Sequence, residues 1–255
     1  MSGASSREIL IAALARLLDG VRFVAVGAAS PIPAAACMLR RALDRAAGKP
    51  GPRLSILGSV RHNLFTNGSD ELFDVAGQGR LDAFFLGGGQ IDGKANVNLV
   101  GAGDYPRSDV RWPGSFGSAY LYFTVPRVIL FREEHTPRVF VEKVDFVSAP
   151  GVSAPGVHRP GGPVALLTSK ALFRFDNERP GFALESLNPG HTLDELREAT
   201  GFAFAHDAHP PFTPAPDAAT LALMRARVME EVAETYPAFA AQWREGLAQH
   251  AKETA

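Results

Sequence analysis

The sequence predicts an open, largely parallel α/β sheet with flanking helices. Short runs of β-branched and aromatic residues alternate with segments of helical periodicity, and this alternation is typical of a sheet whose strands run parallel. Glycines also follow three of the predicted strands, at Gly27, Gly58 and Gly87–Gly89. Because turns at the carboxyl ends of parallel strands line the ligand crevice of such sheets, these glycines are the first indication of a site.

The first part of the chain predicts helices and strands in alternation. Ser5 stands three residues before Glu8, a spacing typical of a capping box, and apolar residues then recur at helical intervals as far as Gly20. Pro31 is typical of the first turn of a second helix. The remaining predicted elements here are strands at 21–27 and 53–57 and a short helix at 70–79.

The rest of the chain predicts further strands and two helices. Thr192 and Glu195 form a second capping-box pattern, and Gly201 is a typical helix stop. The other predicted elements are strands at 81–86, at about 128–131 and within 138–148, a hairpin within 163–187, and a final helix from about residue 218.

Composition restricts the class of protein. The 255 residues are 46% hydrophobic with a net charge of −1, which favours a packed core and lacks the basic face that binds nucleic acid or anionic membranes. No apolar stretch is long enough to span a bilayer. Cys37 is the single cysteine, so no internal disulfide forms, and this favours the cytoplasm. We expect one domain over residues 1–255, with a C-terminal extension over about 206–255.

The segment LGGGQIDGKANVNL at 86–99 combines glycines with amide side chains. It lacks the lysine and hydroxyl residue that follow the glycines of a P-loop. Gly88 and Gly89 let backbone N–H groups approach a ligand closely, and the amides of Gln90, Asn96 and Asn98 can hydrogen bond to a carbonyl group. The residues alone leave two alternatives open, a structural turn or the wall of a ligand site.

A second turn, WPGSFGSAY at 112–120, is rich in glycine and serine. Its residues Gly114, Ser115, Gly117 and Ser118 can expose backbone donors of the kind that stabilise an oxyanion. A plain connecting loop is the alternative interpretation.

Other polar clusters carry weaker indications. The Glu-Glu-His run at 133–135 predicts a solvated charged edge, because consecutive side chains point in different directions and rarely bind one metal together. His206 and His209 lie close in sequence, but no further ligands can be placed beside them, so we expect no metal site. Ser59 and His62 are neighbours in sequence, which is weak evidence for a nucleophile and its base.

Four segments follow one another along the chain in a recognisable order: GGGQIDGKANVN at 87–98, PGSFGSA at 113–119, PRVFVEKVDFVSAPG at 137–151 and HTLDELREATGF at 191–202. Together they resemble the β-subunit of the class I coenzyme A transferases, of the glutaconate CoA-transferase kind. Ala95 and Phe116 stand where that family often has glycine.

The resemblance implies an open α/β fold paired with a similar α-subunit, as an αβ or α2β2 assembly. It also implies a coenzyme A thioester as substrate and no permanently bound cofactor. Members of the family move coenzyme A between carboxylic acids through a β-subunit glutamate just after the second strand. Here Gly58 or Ser59 stands at that place, and neither can form the acyl anhydride, so the catalytic residue stays unassigned.

Relatives without that glutamate include steroid-ring-opening hydrolases and a branch that decarboxylates an acyl-CoA. We therefore expect a glutamate-independent hydrolase of a cyclic or β-keto acyl-CoA in catabolism. The alternatives are a true CoA-transferase and a non-catalytic scaffold subunit that completes the partner's active site. Phe65, Phe84, Phe85, Phe116 and Tyr120 would suit a bulky acyl group or belong to the core. The residues expected to line the substrate site are Gly27, Gly88, Gly89, Gln90, Asn96, Asn98, Gly114, Ser115, Gly117 and Ser118.

Overall fold

The computed structural model describes residues 3–253, with side chains for residues 3–249. Its helices and strands alternate along the first half of the chain, as predicted. In chain order they are α1 (Ser6–Leu17), β1 (Phe23–Val26), α2 (Pro31–Ala46), β2 (Arg53–Ile56), α3 (Gly68–Gly77), β3 (Ala83–Leu86), β4 (Gln90–Ile91), β5 (Val97–Asn98), β6 (Gly101–Ala102), β7 (Val110–Arg111), α4 (Ser118–Thr124), β8 (Arg127–Arg132), β9 (Pro163–Thr168), β10 (Ala171–Asp176), β11 (Gly181–Leu187), α5 (Leu193–Glu198), α6 (Ala218–Leu223), α7 (Met229–Val232) and α8 (Pro237–Glu253).

The chain divides into two compact units, which are described separately. The first unit comprises Met1–Gly68 and Pro214–Ala255, and the second comprises Ser69–Thr213. Residues 254–255 of the expected C-terminal extension lie outside the described residues. The expectation of one domain over the whole chain stays a prediction.

In the first unit, β1 and β2 pair in parallel, with Phe23 opposite Arg53 and Val26 opposite Ile56. All four residues of β1 are buried, as expected for a strand that is covered on both faces. The predicted capping box of α1 is present, since the side chains of Ser5 and Glu8 each accept a hydrogen bond from the other residue's backbone N–H.

The C-terminal part of the first unit is helical, and an ion pair between Arg225 and Glu8 connects it to α1. Helix α6 runs through a π-helical turn at Met224–Val228 into α7. Arg225 of this turn donates to the carboxylate of Glu8, which is fully buried, over 2.7 and 2.9 Å. The buried face includes Leu221, Met224, Val228 and Val232, which lie at the spacing of the predicted final helix.

In the second unit, five strands lie in the order β11-β10-β9-β8-β3. β3, β8 and β9 are parallel neighbours, while β9, β10 and β11 form an antiparallel meander that includes the predicted hairpin. The parallel pairs in both units confirm the predicted largely parallel α/β class, and the meander makes the sheet mixed.

One prediction for the second unit is wrong. Residues 138–148 form no strand but a loop, in which Phe140 is buried and makes a single bridge with Ile91. Apolar residues of this run are buried although the run is a loop. A buried loop and a buried strand can therefore show the same apolar sequence pattern. The end of the WPGSFGSAY segment, from Ser118 onward, forms the start of helix α4, a helix that the sequence pattern did not indicate.

None of the helices in the described part of the chain has the length and apolar character that a membrane crossing requires.

Candidate functional site

The turn that follows β2, residues 58–62, is the place where the resemblance puts a catalytic glutamate; we call it the β2 turn. It folds back on its strand, since the N–H of Ile56 donates to the carbonyl of His62 over 2.9 Å. Gly58 has a φ of 89°, in the left-handed region that glycine adopts without a steric penalty. Ser59 is 5% exposed, whereas Val60 is 93% exposed. The turn therefore offers a buried hydroxyl beside an open surface.

A carboxylate from the far end of the chain lies on this turn. Ser59 Oγ donates to Glu234 Oε2 over 2.7 Å, and the N–H groups of Val60 and Arg61 donate to Glu234 Oε1 over 2.8 and 3.2 Å. Thr235 Oγ1 donates to Glu234 Oε2 over 2.6 Å. Both carboxylate oxygens of Glu234 are thus hydrogen bonded, each by two donors.

These donors determine the charge state of Glu234. Burial alone would raise its pKa, but the hydrogen bonds from Thr235, from Ser59 and from the backbone of Val60 and Arg61 outweigh it and hold the pKa at about 2. Hydrogen bonds to the charged form of a carboxyl group favour that form. Glu234 is therefore an anion throughout the neutral range.

Two further side chains of the same C-terminal segment, residues 231–236, reach the strand ends. Glu231 Oε1 pairs with Arg41 of α2 and lies 3.0 Å from His62 Nε2. Burial, and then the neighbouring charge of Arg41, lower the pKa of His62. Tyr236 Oη donates to the carbonyl of Gly27 over 3.2 Å. The segment thus contacts the residues that follow both β1 and β2.

In the second unit, the buried amides of Gln90 and Asn98 form a hydrogen-bond network that ends at the exposed carboxylate of Asp145. Asn98 Nδ2 donates to Gln90 Oε1 over 2.7 Å, and Gln90 Nε2 donates to Asp145 Oδ2 over 2.9 Å. The second proton of Asn98 Nδ2 bonds to the carbonyl of Gly101 over 2.7 Å, while Asn98 Oδ1 accepts from the N–H of Val100 over 3.0 Å. Asn98 is 0% exposed. Its amide is used within the protein and holds the backbone of this loop in place.

Asn96 has a similar structural environment. Its Nδ2 donates to Asp92 Oδ2 over 3.0 Å, and its Oδ1 accepts from the N–H of Gly151 over 3.1 Å. Asn96 therefore ties the β4–β5 hairpin to the loop that ends at Gly151.

The glycines before the amide network lie against neighbouring atoms. A Cβ added to Gly88 would lie 2.6 Å from Val97 Cγ1, and one added to Gly89 would overlap the ring of Trp112. These positions need glycine because of close approach within the unit itself. This explains the triple glycine structurally, while its contact with a ligand stays a prediction.

The Gly114–Ser118 turn is more open. A Cβ added to Gly114 would meet nothing within 4 Å, whereas one added to Gly117 would overlap the ring of Phe73. Ser118 N donates to the carbonyl of Ser115 over 2.8 Å as α4 begins. Phe116 is 82% exposed, with its ring centroid 5.6 Å from that of Phe73. An aromatic side chain thus faces solvent beside a backbone turn.

Ala95 and Phe116 stand at two positions where the family often has glycine, and their backbone angles show what those positions require. Their φ angles are 58° and 43°, so both are non-glycine residues in the left-handed region. This conformation costs an L-residue about 1–2 kcal/mol, and glycine avoids that cost. The chain thus keeps the backbone geometry of a glycine at both positions.

The described structure also places the remaining candidates. Phe65, Phe84 and Phe85 are buried, and Tyr120 is 44% exposed. Within residues 3–253, no group of three or more His, Cys, Asp or Glu residues could hold a metal ion. The thiol of Cys37 is buried, and burial raises its pKa.

The predicted solvated edge at 133–135 is wrong for His135. This residue is buried, with Nδ1 2.7 Å from Thr168 Oγ1 and Nε2 2.9 Å from Thr200 Oγ1. Burial, and then the charges of Lys170 and His191, lower its pKa to about 3. His135 is therefore a neutral core residue.

Comparison with known proteins agrees with this architecture. The model of the coenzyme A transferase family matches residues 55–199. The chain belongs to the coenzyme A transferase family, a family of enzymes that act on coenzyme A thioesters, and it corresponds to a β-subunit.

Three relatives illustrate the range of the family. The β-subunit of 3-oxoadipate CoA-transferase from Pseudomonas knackmussii is 32% identical over 250 residues, which cover 89% of this chain and 94% of the relative. The β-subunit of glutaconate CoA-transferase from Acidaminococcus fermentans is 31% identical over 125 residues, 46% of each chain. The crystal structure of the decarboxylase AibA/AibB superposes with a TM-score of 0.72 at 26% identity, covering 87% of this chain and 94% of the other. The predicted resemblance to a β-subunit of this family is confirmed.

Sequence reasoning missed Glu231, Glu234 and Tyr236. They lie outside the matched range, and Glu234 is 175 residues from Ser59 in the chain. A local motif cannot indicate a contact over this separation.

Proposed function

We propose that the chain is the β-subunit of a heteromeric acyl-CoA enzyme, working with an α-subunit in an αβ or α2β2 assembly. In this proposal the reaction needs no β-subunit glutamate nucleophile and is the hydrolysis of a cyclic or β-keto acyl-CoA in catabolism. The observation that carries it is the β2 turn, where Gly58 and Ser59 replace the glutamate and the carboxylate that lies there is held by four donors.

Glu234 is poorly suited to replace the nucleophile. A carboxylate that attacks a thioester gives up negative charge to the new bond, and hydrogen bonds that stabilise this charge in the ground state oppose the step. Glu234 would have to leave Ser59 Oγ or the N–H groups of Val60 and Arg61 before it could react. A pKa of about 2 reflects the same stabilisation.

A relative with different chemistry supports a reaction other than transfer. AibA/AibB is a decarboxylase, and it shares this fold at 26% identity. Its two-component name and the subunit names of the CoA-transferase relatives support an α-subunit partner for this chain.

In the proposal, the two glycine turns of the second unit form walls for the acyl and pantetheine parts of the substrate. Gly88, Gly89, Gly114, Ser115, Gly117 and Ser118 supply the backbone of these walls. Gln90, Asn96 and Asn98 support the first wall through their hydrogen bonds. Gly27, which follows β1, is a further proposed substrate-binding residue. The exposed rings of Phe116 and Tyr120 favour a bulky, apolar acyl group.

True coenzyme A transfer is the second candidate, because the relative that is 32% identical over most of the chain is the β-subunit of a 3-oxoadipate CoA-transferase. One experiment separates the two. The chain is co-expressed with its α-subunit, and the complex is incubated with a β-keto acyl-CoA and isotopically labelled 3-oxoadipate. In the proposed reaction, water adds across the carbon–carbon bond beside the β-keto group, which gives a new carboxylate and leaves the coenzyme A thioester intact. We therefore expect a new carboxylate product and no labelled thioester.

Labelled 3-oxoadipyl-CoA formed with ping-pong kinetics would overturn the glutamate-independent reaction. Borohydride gives an independent check, since it reduces a glutamyl-CoA thioester and would then inactivate the complex. We expect activity to survive borohydride in the presence of acyl-CoA.

A further inference from the structure

The C-terminal segment, residues 231–236, makes three separate polar contacts at the carboxyl ends of β1 and β2. Glu234 bonds to the β2 turn, Glu231 lies against His62, and Tyr236 bonds to the carbonyl of Gly27. In a parallel arrangement these strand ends are where ligands bind. The segment lies beyond residue 199, where the family model ends.

The contacts of Glu234 are specific for a carboxylate. All of its partners on the β2 turn are donors: the hydroxyl of Ser59 and two successive backbone N–H groups, those of Val60 and Arg61. Successive N–H groups that converge on one point form an anion-binding concavity. Ser59 Oγ also accepts from the N–H of His62 over 2.9 Å, so its own proton is directed to Glu234.

We propose that Glu234 is a positioning residue of the acyl-CoA site, which holds the β2 turn in its working conformation by filling the donor nest formed by Ser59, Val60 and Arg61. A negative charge thus lies at the carboxyl end of β2 although the turn itself has no acidic side chain. The C-terminal segment is then part of the functional unit and not only a packing element. This inference rests on the proposed acyl-CoA function for its effect on turnover.

The test uses the complex of the full chain with its α-subunit and a β-keto acyl-CoA as the probe. Glu234→Ala empties the nest, and we expect kcat/KM to fall by up to about 100-fold, because a displacement of catalytic groups by about 1 Å can cost that much. Glu230→Ala is the matched control, because Glu230 is an exposed glutamate on α7. This control should keep the turnover of the unaltered complex.

Chemical rescue distinguishes positioning from general destabilisation. Sodium formate should restore part of the turnover of the Glu234→Ala complex, because its carboxylate fits the emptied nest. Sodium chloride at equal ionic strength should restore none. Glu234→Gln keeps the size of the side chain but directs an amide N–H2 group at donors, so it should lose turnover even where the melting temperature is unchanged.

Hydrogen exchange gives a readout that does not depend on turnover. In Glu234→Ala the amides of Val60 and Arg61 should exchange faster, while Glu230→Ala should leave them unchanged. Turnover of Glu234→Ala within twofold of the unaltered complex would overturn the inference. So would a loss that formate does not reverse, when the amides of Val60 and Arg61 exchange as before.

Failure of the proposed function looks different. If the unaltered complex converts no acyl-CoA, the proposed function is wrong, and the role of Glu234 in holding the turn is decided by hydrogen exchange alone. Faster exchange at residues 60 and 61 in Glu234→Ala then supports that role, and unchanged exchange overturns it.

Discussion

The amide network of the second unit and the β2 turn of the first unit hold their backbones in opposite ways. In the network, Gln90 and Asn98 are buried, and Asn98 is 0% exposed, while their partner Asp145 lies at the exposed edge of the network. On the β2 turn, the carboxylate of Glu234 accepts the hydroxyl proton of Ser59, which lies 175 residues earlier in the chain. Val60, the residue after Ser59, is almost fully exposed.

The difference shows that hydrogen bonds can hold the backbone in both regions, although the loss of these bonds affects stability differently in each. Buried polar groups that lose their partners cannot turn to water, so the amide network is necessary for stability. The donors of the β2 turn can be hydrated when Glu234 is removed. We therefore expect changes in the network to affect stability most, and changes at Glu234 to affect turnover most.

The largest expected effect is that of Asn98→Ala. It removes four hydrogen bonds from a fully buried position, and we expect a loss of about 3 kcal/mol in the free energy of unfolding. Denaturant unfolding monitored by circular dichroism measures it. Gln242→Ala, at an exposed amide on α8, should cost less than about 0.5 kcal/mol. Equal losses in the two variants would contradict the importance of the network.

The next effect is a pH dependence that arises from His135 in the second unit. Its folded pKa of about 3 lies below the unfolded value of about 6.5, so between these values the unfolded state binds one more proton. Stability therefore falls as the pH drops, by about 2 kcal/mol between pH 6.5 and pH 5. Unfolding curves at several pH values should lose this slope in His135→Gln and keep it in His158→Gln, a change at an exposed histidine.

Glu234→Ala should destabilise the protein by only about 1 kcal/mol at pH 7, because the freed donors are open to water. The folded pKa of about 2 lies below the unfolded value of about 4.3, so the contribution is present above pH 4.3 and is lost as the pH falls toward 2. The difference in unfolding free energy from the unaltered protein should shrink over that range. A loss as large as that of Asn98→Ala would remove the contrast between the two regions.

The smallest expected effect has the opposite sign. Phe116→Gly relieves a left-handed backbone and gives up one exposed ring, so we expect the protein to gain up to about 1 kcal/mol in stability. Differential scanning calorimetry should show a slightly higher melting temperature. Ser115→Gly serves as a control for added chain flexibility, and it should not raise the melting temperature.

Sequence reasoning succeeded where the physical cause is local. The capping boxes at Ser5 and Thr192 depend on residues three positions apart, and both are present in the structure. Strands β1, β2 and β3 are predicted from short apolar runs that end just before a glycine, and the structure contains all three.

It failed where the cause is tertiary. Residues 138–148 have the apolar content of a strand, but they form a loop whose Phe140 makes one bridge with Ile91 of β4. His135 lies in a charged run, yet Thr168 and Thr200 accommodate its ring in the core. For the candidate site, the sequence indicated Gly58 and Ser59 as the decisive place. Nothing in the local pattern indicated that Glu234 lies there, because the contact depends on the fold of the C-terminal helices.

The π-helical turn at Met224–Val228 precedes α7, which carries Glu231, so it sets the direction in which Glu231 points to Arg41 and His62. A π-helical turn contains one residue more than an α-helical turn, and one residue corresponds to a rotation of about 100° around the axis. Deleting a single residue from the turn would restore a continuous α-helix and rotate Glu231 away from its present direction. A change of one residue in the length of this helical turn can therefore change which side chains face the strand end, without any substitution at the site itself.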